Sequence, residues 1–176
     1  MDPAPVEVRD AATVILVRDR PVLEVFMLRR NSALVFAPGA TVFPGGAVDP
    51  EDLELAAELG LDEFRVAAAR ECLEESGIPV EAASLLEFAR WVTPPGAPRR
   101  YDTRFFVAHA PDGHEGEHDG SELVASAWMR PHAVLDAFAR GEIDLILPTQ
   151  RSLEAIARFE TVAALLAELR EASCPT

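Results

Sequence analysis

The chain reads as an α/β (α+β) protein, a central mixed β-sheet flanked by helices, and three observations lead there. β-branched apolar runs of strand length recur along it, segments with helix caps alternate with them, and no repeat or linker interrupts the succession. At 176 residues, 49% hydrophobic and 26% charged, it is long enough for one domain, residues 1–176, whose core needs no disulfide staples.

The stretches "AATVILVRD" (11–19) and "VLEVFMLRR" (22–30) read as two strands joined by a tight turn at Arg20-Pro21. "APGATVFPGGAVDP" (37–50) is Gly/Pro-rich around a short apolar triplet, hence a loop with one brief strand. Pro50 after Asp49, with Glu51 and Asp52 in the first turn, opens a short helix over 50–60 that stops at Gly60. Asp62 caps the next helix, which runs to about Ser76 and closes at Gly77. "SLLEFARWV" (84–92) and "TRFFVAHA" (103–110) are strands flanking "TPPGAPRRYD", "PDGHEGEHDG" (111–120) is a polar surface loop, and "ELVASAWM" (122–129) is a further strand. Pro131–Arg140 is a helix ended by Gly141. Residues 149–172 form C-terminal helices, broken near Glu160-Thr161 where Thr161 caps afresh.

Sixteen basic against thirty acidic residues give a net charge of −14, which repels nucleic acid and anionic lipid and excludes both as expected partners. No apolar run approaches the roughly 20 residues of a membrane span. The acidic N-terminus "MDPAPVEVRD" lacks a signal peptide's plan, so the expected location is cytoplasmic. Cys72 and Cys174 are too few and too separated for a disulfide framework or a zinc site. His114 and His118 have H-x3-H spacing, but the surrounding glycines argue against the helix a zinc pair needs there. The Ala/Leu stretch "TVAALLAEL" fits a monomer or a homodimer equally.

The segment "RECLEESGI" (70–78) raises the chemical question. On a 100° wheel Glu71, Glu74 and Glu75 share one side, and Val66, Ala69 and Leu73 point the opposite way, so the expectation is a core face against a carboxylate face. Ala67 and Ala68 on the carboxylate side would leave room for a ligand, and Arg70 can brace Glu74 as an i, i+4 pair. Oxygen-only ligands suit Mg²⁺ or Mn²⁺ rather than zinc. Upstream, "FPGG" (43–46) offers paired glycines that permit positive φ and bring backbone carbonyls close to a ligand.

Together, "GGAVDPED" and "RVAAARECLEESGI" resemble the Nudix hydrolase signature, G-x5-E-x7-R-E-U-x-E-E-x-G-U, with U aliphatic. Arg70, Glu71, Glu74, Glu75, Gly77 and Ile78 match its second half in register, and Cys72 replaces an aliphatic residue. From Gly46 the spacing to Arg70 is ten residues too long, so residues 50–60 read as a helix inserted within the box. Counting back from Arg70 puts the motif's first Glu on Asp62, beside Glu63. Further segments, among them "SALVFAPGATVFPGGAVDPED", "WVTPPGAPRRYDTRFFVA" and "LILPTQRSLEAIARF", resemble the branch whose animal members are peroxisomal coenzyme A diphosphatases.

The resemblance implies a Nudix-type α/β/α sandwich and a Mg²⁺-dependent cleavage of CoA or acyl-CoA to 3′,5′-ADP and (acyl-)4′-phosphopantetheine. The alternatives are another nucleotide substrate (ADP-ribose, NADH or a dinucleoside polyphosphate) or a non-catalytic nucleotide-binding domain. It implies that Glu71, Glu74, Glu75 and the Gly46 carbonyl hold metal, that Arg70 orients the glutamates, and that a glutamate or a loop acid takes the proton. Glu122 is the candidate for an acid outside the box. For phosphate recognition the densest positive groups are Arg29, Arg30, Arg99, Arg100 and Arg104. Trp91, Tyr101 and Phe105 are either core or a stacking surface for adenine.

Overall fold

The computed structural model describes residues 6–35 and 37–173, so Cys174 and residues 1–5 of the acidic N-terminus lie outside the described part. Strand β1 (Val8–Asp19) is followed by β2 (Leu23–Arg30), β3 (Thr41–Val42), β4 (Gly45–Ala47), α1 (Pro50–Leu59) and α2 (Glu63–Ser76). Then come β5 (Leu86–Val92), β6 (Arg100–His109), β7 (Leu123–Met129), α3 (Pro131–Ala139), α4 (Leu147–Ile156) and α5 (Val162–Ser173). Where one brief strand was expected in the glycine-rich segment there are two, β3 and β4.

The strands form one mixed sheet. β6 runs parallel to β1 from Val8 to Val17, β5 is antiparallel to β6, and β7 is antiparallel to β2. β1 and β2 pair only at Val17–Asp19 and then part; β4 takes β1 at Ala11–Thr13 and β3 takes β2 at Leu28 and Arg29. The β3–β4 corner is therefore wedged into a fork between the two long strands, with Val14 N donating to Pro44 O at 2.8 Å.

Period-two alternation along β1 sends its side chains to two cores. Ala12, Val14 and Leu16 pack with Phe64, Ala67, Ala68 and Cys72 of α2. Ile15 and Val17 pack on the opposite face with Val134 of α3, Leu153 and Ile156 of α4, and Val162 and Leu165 of α5. The result is a three-layer α/β/α sandwich. Helix ends follow the sequence signals: Asp62 accepts from Arg65 N at 3.0 Å, Thr161 Oγ1 from Ala164 N at 3.2 Å, and Gly60 and Gly77 are left-handed.

The α2 wheel is turned relative to expectation. Leu73 is 52% exposed, whereas Ala67, Ala68 and Cys72 are fully buried on the side that also carries Glu71 and Glu75. The carboxylate face is thus the face packed on the sheet, and Ala67 and Ala68 leave no space for a ligand because β1 occupies it. The segment 111–120 is likewise more than a surface loop. Glu115 O accepts from Trp128 Nε1 at 2.6 Å, Glu117 N donates to Ser76 O at 2.9 Å, and a Cβ on Gly116 would collide with Phe26 and Ile78. Among the described residues no helix is long and apolar enough to cross a membrane.

Candidate active site

Arg70 organises the centre. Its Nε and Nη2 donate to the two carboxylate oxygens of Asp52 at 2.9 and 2.8 Å, Nη1 donates to Glu71 at 2.8 Å and Glu74 at 3.3 Å, and Nη2 also reaches Ala47 O at 3.0 Å. Asp52 is 2% exposed and closes a capping box with Asp49 at the start of α1. Burial alone would raise its carboxyl, but the hydrogen bonds from Arg70 and the Asp49 N–H hold it below the usual carboxylate range. The same partners, Asp52 foremost and then Glu71, raise the Arg70 guanidinium further, so it stays charged.

This corrects the placement of the motif's first acid on Asp62. Asp62 instead caps α2 and pairs with Arg65, while Glu63 lies in that helix's first turn. Counting forward from Gly46 lands on Asp52, so the extra residues follow the acid rather than precede it.

The glycines serve close approach, not an unusual φ, since neither Gly45 nor Gly46 has positive φ. A Cβ on Gly46 would land on the Glu71 carboxylate, and one on Gly45 would stand 2.5 Å from Ala12 O. Gly45 N donates to Glu75 Oε2 at 2.8 Å, which fastens α2 to β4. Glu75 is 8% exposed; burial pushes its carboxyl up to about 8, the Gly45 N–H opposes that, and the charge of Glu71 adds to it. Burial also raises Glu71, against the pull of Arg70. Glu74 has a 58% exposed side chain, held from one side by Arg70 at 3.3 Å.

Among the described residues no three His, Cys, Asp or Glu side chains stand close enough together to hold a metal ion as they lie. The donor chemistry fits a hard divalent cation all the same. Only oxygens are offered, and Glu71 and Glu75 are desolvated carboxylates that repel each other and that a cation would relieve.

These acids open onto a cavity of about 970 Å³. Its lining includes Arg30, Arg99 and Glu122, together with the wall of Trp91, Tyr101, Thr103 and Phe105. Trp91, Tyr101 and Phe105 thus face the cavity, with Phe105 also in the core beneath α4. Arg100 and Arg104 do not line it. Alternation along β6 turns them to the other side, where Arg104 stacks over Phe64 at 4.1 Å and Arg100 Nε donates to Thr93 O at 3.1 Å. Arg29, the neighbour of Arg30 on β2, is outside the lining for the same reason. Asp119, Ser121 and the start of α4 from Ile146 to Thr149 also line it. Residues 146–149 fall in the segment "LILPTQRSLEAIARF" of the resemblance above, which does not assign them to the site, and Asp119 carries no motif that would single it out. Asp119 folds the turn before β7, accepting from Ser121 N at 2.9 Å and Leu123 N at 3.0 Å.

A family model described as NUDIX domain matches residues 7–149. "Putative nudix hydrolase 7" of Caenorhabditis elegans is 30% identical over 175 residues, covering 80% of this chain. The chain spans 57% of that relative's length. A solved NUDIX hydrolase from Alicyclobacillus acidocaldarius superposes with a TM-score of 0.82 at 28% identity, over 92% of this chain and 96% of the other. A MutT NUDIX hydrolase from Burkholderia pseudomallei, at 23% identity and a TM-score of 0.61 over 84% and 97% of the two chains, shares the fold. The family match over most of the chain, on a fold that these structures share, shows that the chain belongs to the Nudix hydrolase family.

Proposed function

We propose that this chain is a Mg²⁺- or Mn²⁺-dependent pyrophosphohydrolase that cleaves a nucleoside diphosphate linked to another moiety, CoA or acyl-CoA foremost. The products are 3′,5′-ADP and (acyl-)4′-phosphopantetheine. The observation that carries the reading is Arg70 bridging Asp52, Glu71 and Glu74 beside buried Glu75, at the edge of a cavity that also presents arginine and aromatic side chains. At about 970 Å³ the cavity is at the upper end of ligand sites, the size a dinucleotide-like molecule needs. The sequence resemblance to coenzyme A diphosphatases supports CoA within that class.

Glu71, Glu74 and Glu75, with the Gly46 carbonyl, would hold the cation. When bound, it supplies neutralisation of the diphosphate's anionic oxygens and a lowered pKa for the attacking water. Arg70 fixes the rotamers of Glu71 and Glu74 and leaves the substrate alone, because its donors are already committed. Arg30, whose charge reaches Glu75, supplies positive potential where the diphosphate lies. Glu122 at the cavity rim accepts the proton of the attacking water on its carboxylate. A water oxygen–phosphorus bond forms as the bridging phosphorus–oxygen bond breaks, and no covalent enzyme intermediate is required.

Mass-resolved product analysis with CoA, an acyl-CoA, NADH and ADP-ribose in Mg²⁺ tests the reading. The expected products from CoA are 3′,5′-ADP and 4′-phosphopantetheine. Turnover of ADP-ribose equal to that of CoA would refute the CoA assignment.

A further inference from the structure

We infer that Arg99 receives a second anionic group of the substrate, a phosphate monoester on the nucleotide's sugar, at a point separate from the diphosphate. The inference rests on the nucleoside-diphosphate reading of the site and deepens it.

In a chain of sixteen basic and thirty acidic residues at least half of the arginines pair with a carboxylate: Arg18 holds Glu24 and Glu115, Arg65 holds Asp62, and Arg90 holds Asp102. Arg99 makes no salt bridge with any described residue, although it is exposed and lines the cavity. A cation left unneutralised amid surplus acid, on the wall of a ligand-sized cavity, is available to an anion that comes from outside. The guanidinium fork suits a phosphate monoester, which presents several oxygens to it.

Placement gives the second reason. Arg99 ends the proline-rich connection between β5 and β6, and the backbone beside it is pinned. Thr93 N donates to Tyr101 O at 2.8 Å, Tyr101 N to Thr93 Oγ1 at 3.1 Å, and Arg100 Nε to Thr93 O at 3.1 Å. Pro94, Pro95 and Pro98 stiffen the approach. Trp91 and Tyr101, on the strands this connection joins, give the same part of the wall a surface on which a base can stack. Arg30 stands on β2, in the other arm of the fork, where its charge is felt by Glu75. Two cationic points on separate arms of one cavity match a ligand with two separated anionic groups, which CoA has and dephospho-CoA lacks.

Calorimetry of 3′,5′-ADP and 5′-AMP on the wild type and on Arg99→Gln and Arg99→Lys tests this without requiring turnover. The wild type is expected to bind 3′,5′-ADP roughly 10- to 100-fold more tightly than 5′-AMP, the range of a charge-assisted hydrogen-bonded contact. Arg99→Gln brings the two affinities level, and Arg99→Lys restores part of the difference. A parallel comparison of CoA with dephospho-CoA should show the same ratio in kcat/KM, lost in Arg99→Gln mainly through KM. Equal affinities in the wild type, or a ratio unchanged in Arg99→Gln, would overturn the role of Arg99. Tight, Arg99-dependent binding of 3′,5′-ADP by a protein that leaves CoA intact would instead sink the hydrolytic reading. Because Arg99 is exposed, its variants keep the fold, and an unaltered melting temperature verifies that.

Discussion

Arg70 shares its donors among Asp52, Glu71, Glu74 and the Ala47 carbonyl, so one guanidinium joins α1, α2 and β4. Replacing Asp52 by Asn keeps the shape and removes the charge. The variant should lose about 1.5–3 kcal/mol in urea unfolding at pH 7 and, on the proposed cation site, about 10- to 100-fold in kcat, the effect expected of an outer partner of metal ligands. The pH dependence has a definite sign. A carboxyl held below its unfolded value stabilises the fold above that unfolded value, and the contribution disappears as pH falls through the lower folded value. The wild type should therefore lose stability below about pH 4, near the unperturbed carboxylate value, and Asp52→Asn should flatten that part of the curve. Glu74 is the opposite case: its side chain is 58% exposed. Glu74→Gln should abolish Mg²⁺-dependent turnover while shifting stability by no more than about 0.5 kcal/mol. A rate equal to wild type would remove Glu74 from the proposed cation site.

At the scale of elements, β4 and α2 touch through glycine, and the two glycines should fail differently. Gly46→Ala drives a methyl into the Glu71 carboxylate, an end that can shift, so activity should fall at least tenfold with a modest change in melting temperature. Gly45→Ala meets the backbone of β1, which cannot shift, and should cost about 1–3 kcal/mol of stability as an overpacked contact. Thermal melts and single-turnover rates on both variants check this. Element boundaries were legible because Asp49, Asp62, Thr161, Gly60 and Gly77 are local signals that act through their own backbone. The facing of α2 was not, because Ala67, Ala68 and Cys72 carry little hydrophobic signal while Leu73 carries much. Tertiary packing preferred small residues under the sheet, where the glutamates must also reach the β4 corner. The same limit applied to β6: residue type marked Arg100 and Arg104 as phosphate readers, and only strand alternation reveals that they face away from the cavity.

For the whole molecule the governing quantity is the net charge of −14. The protein should pass through heparin at about 50 mM salt and bind an anion exchanger near pH 7.5, and retention on heparin would contradict the expectation, drawn from charge, that nucleic acid is not a partner. Such a field also makes the few cationic points of the cavity count for more, since each works against a repelling background. The three-layer arrangement could be read from alternating strands and helices, but the fork between β1 and β2 could not. It depends on pairings between residues far apart in sequence, Ala11–Thr13 with Gly45–Ala47 above all. The bond between Asp52 and Arg70 has one more consequence. Its two ends meet in space whatever length of chain runs between them, and doubling such a tether adds only about 0.6 kcal/mol of closure entropy. The exposed end of α1 at 57–60, which follows Asp52 and buried Ala56, is thus where insertions should be accepted, and a reporter loop placed there is expected to leave the Asp52–Arg70 pair intact.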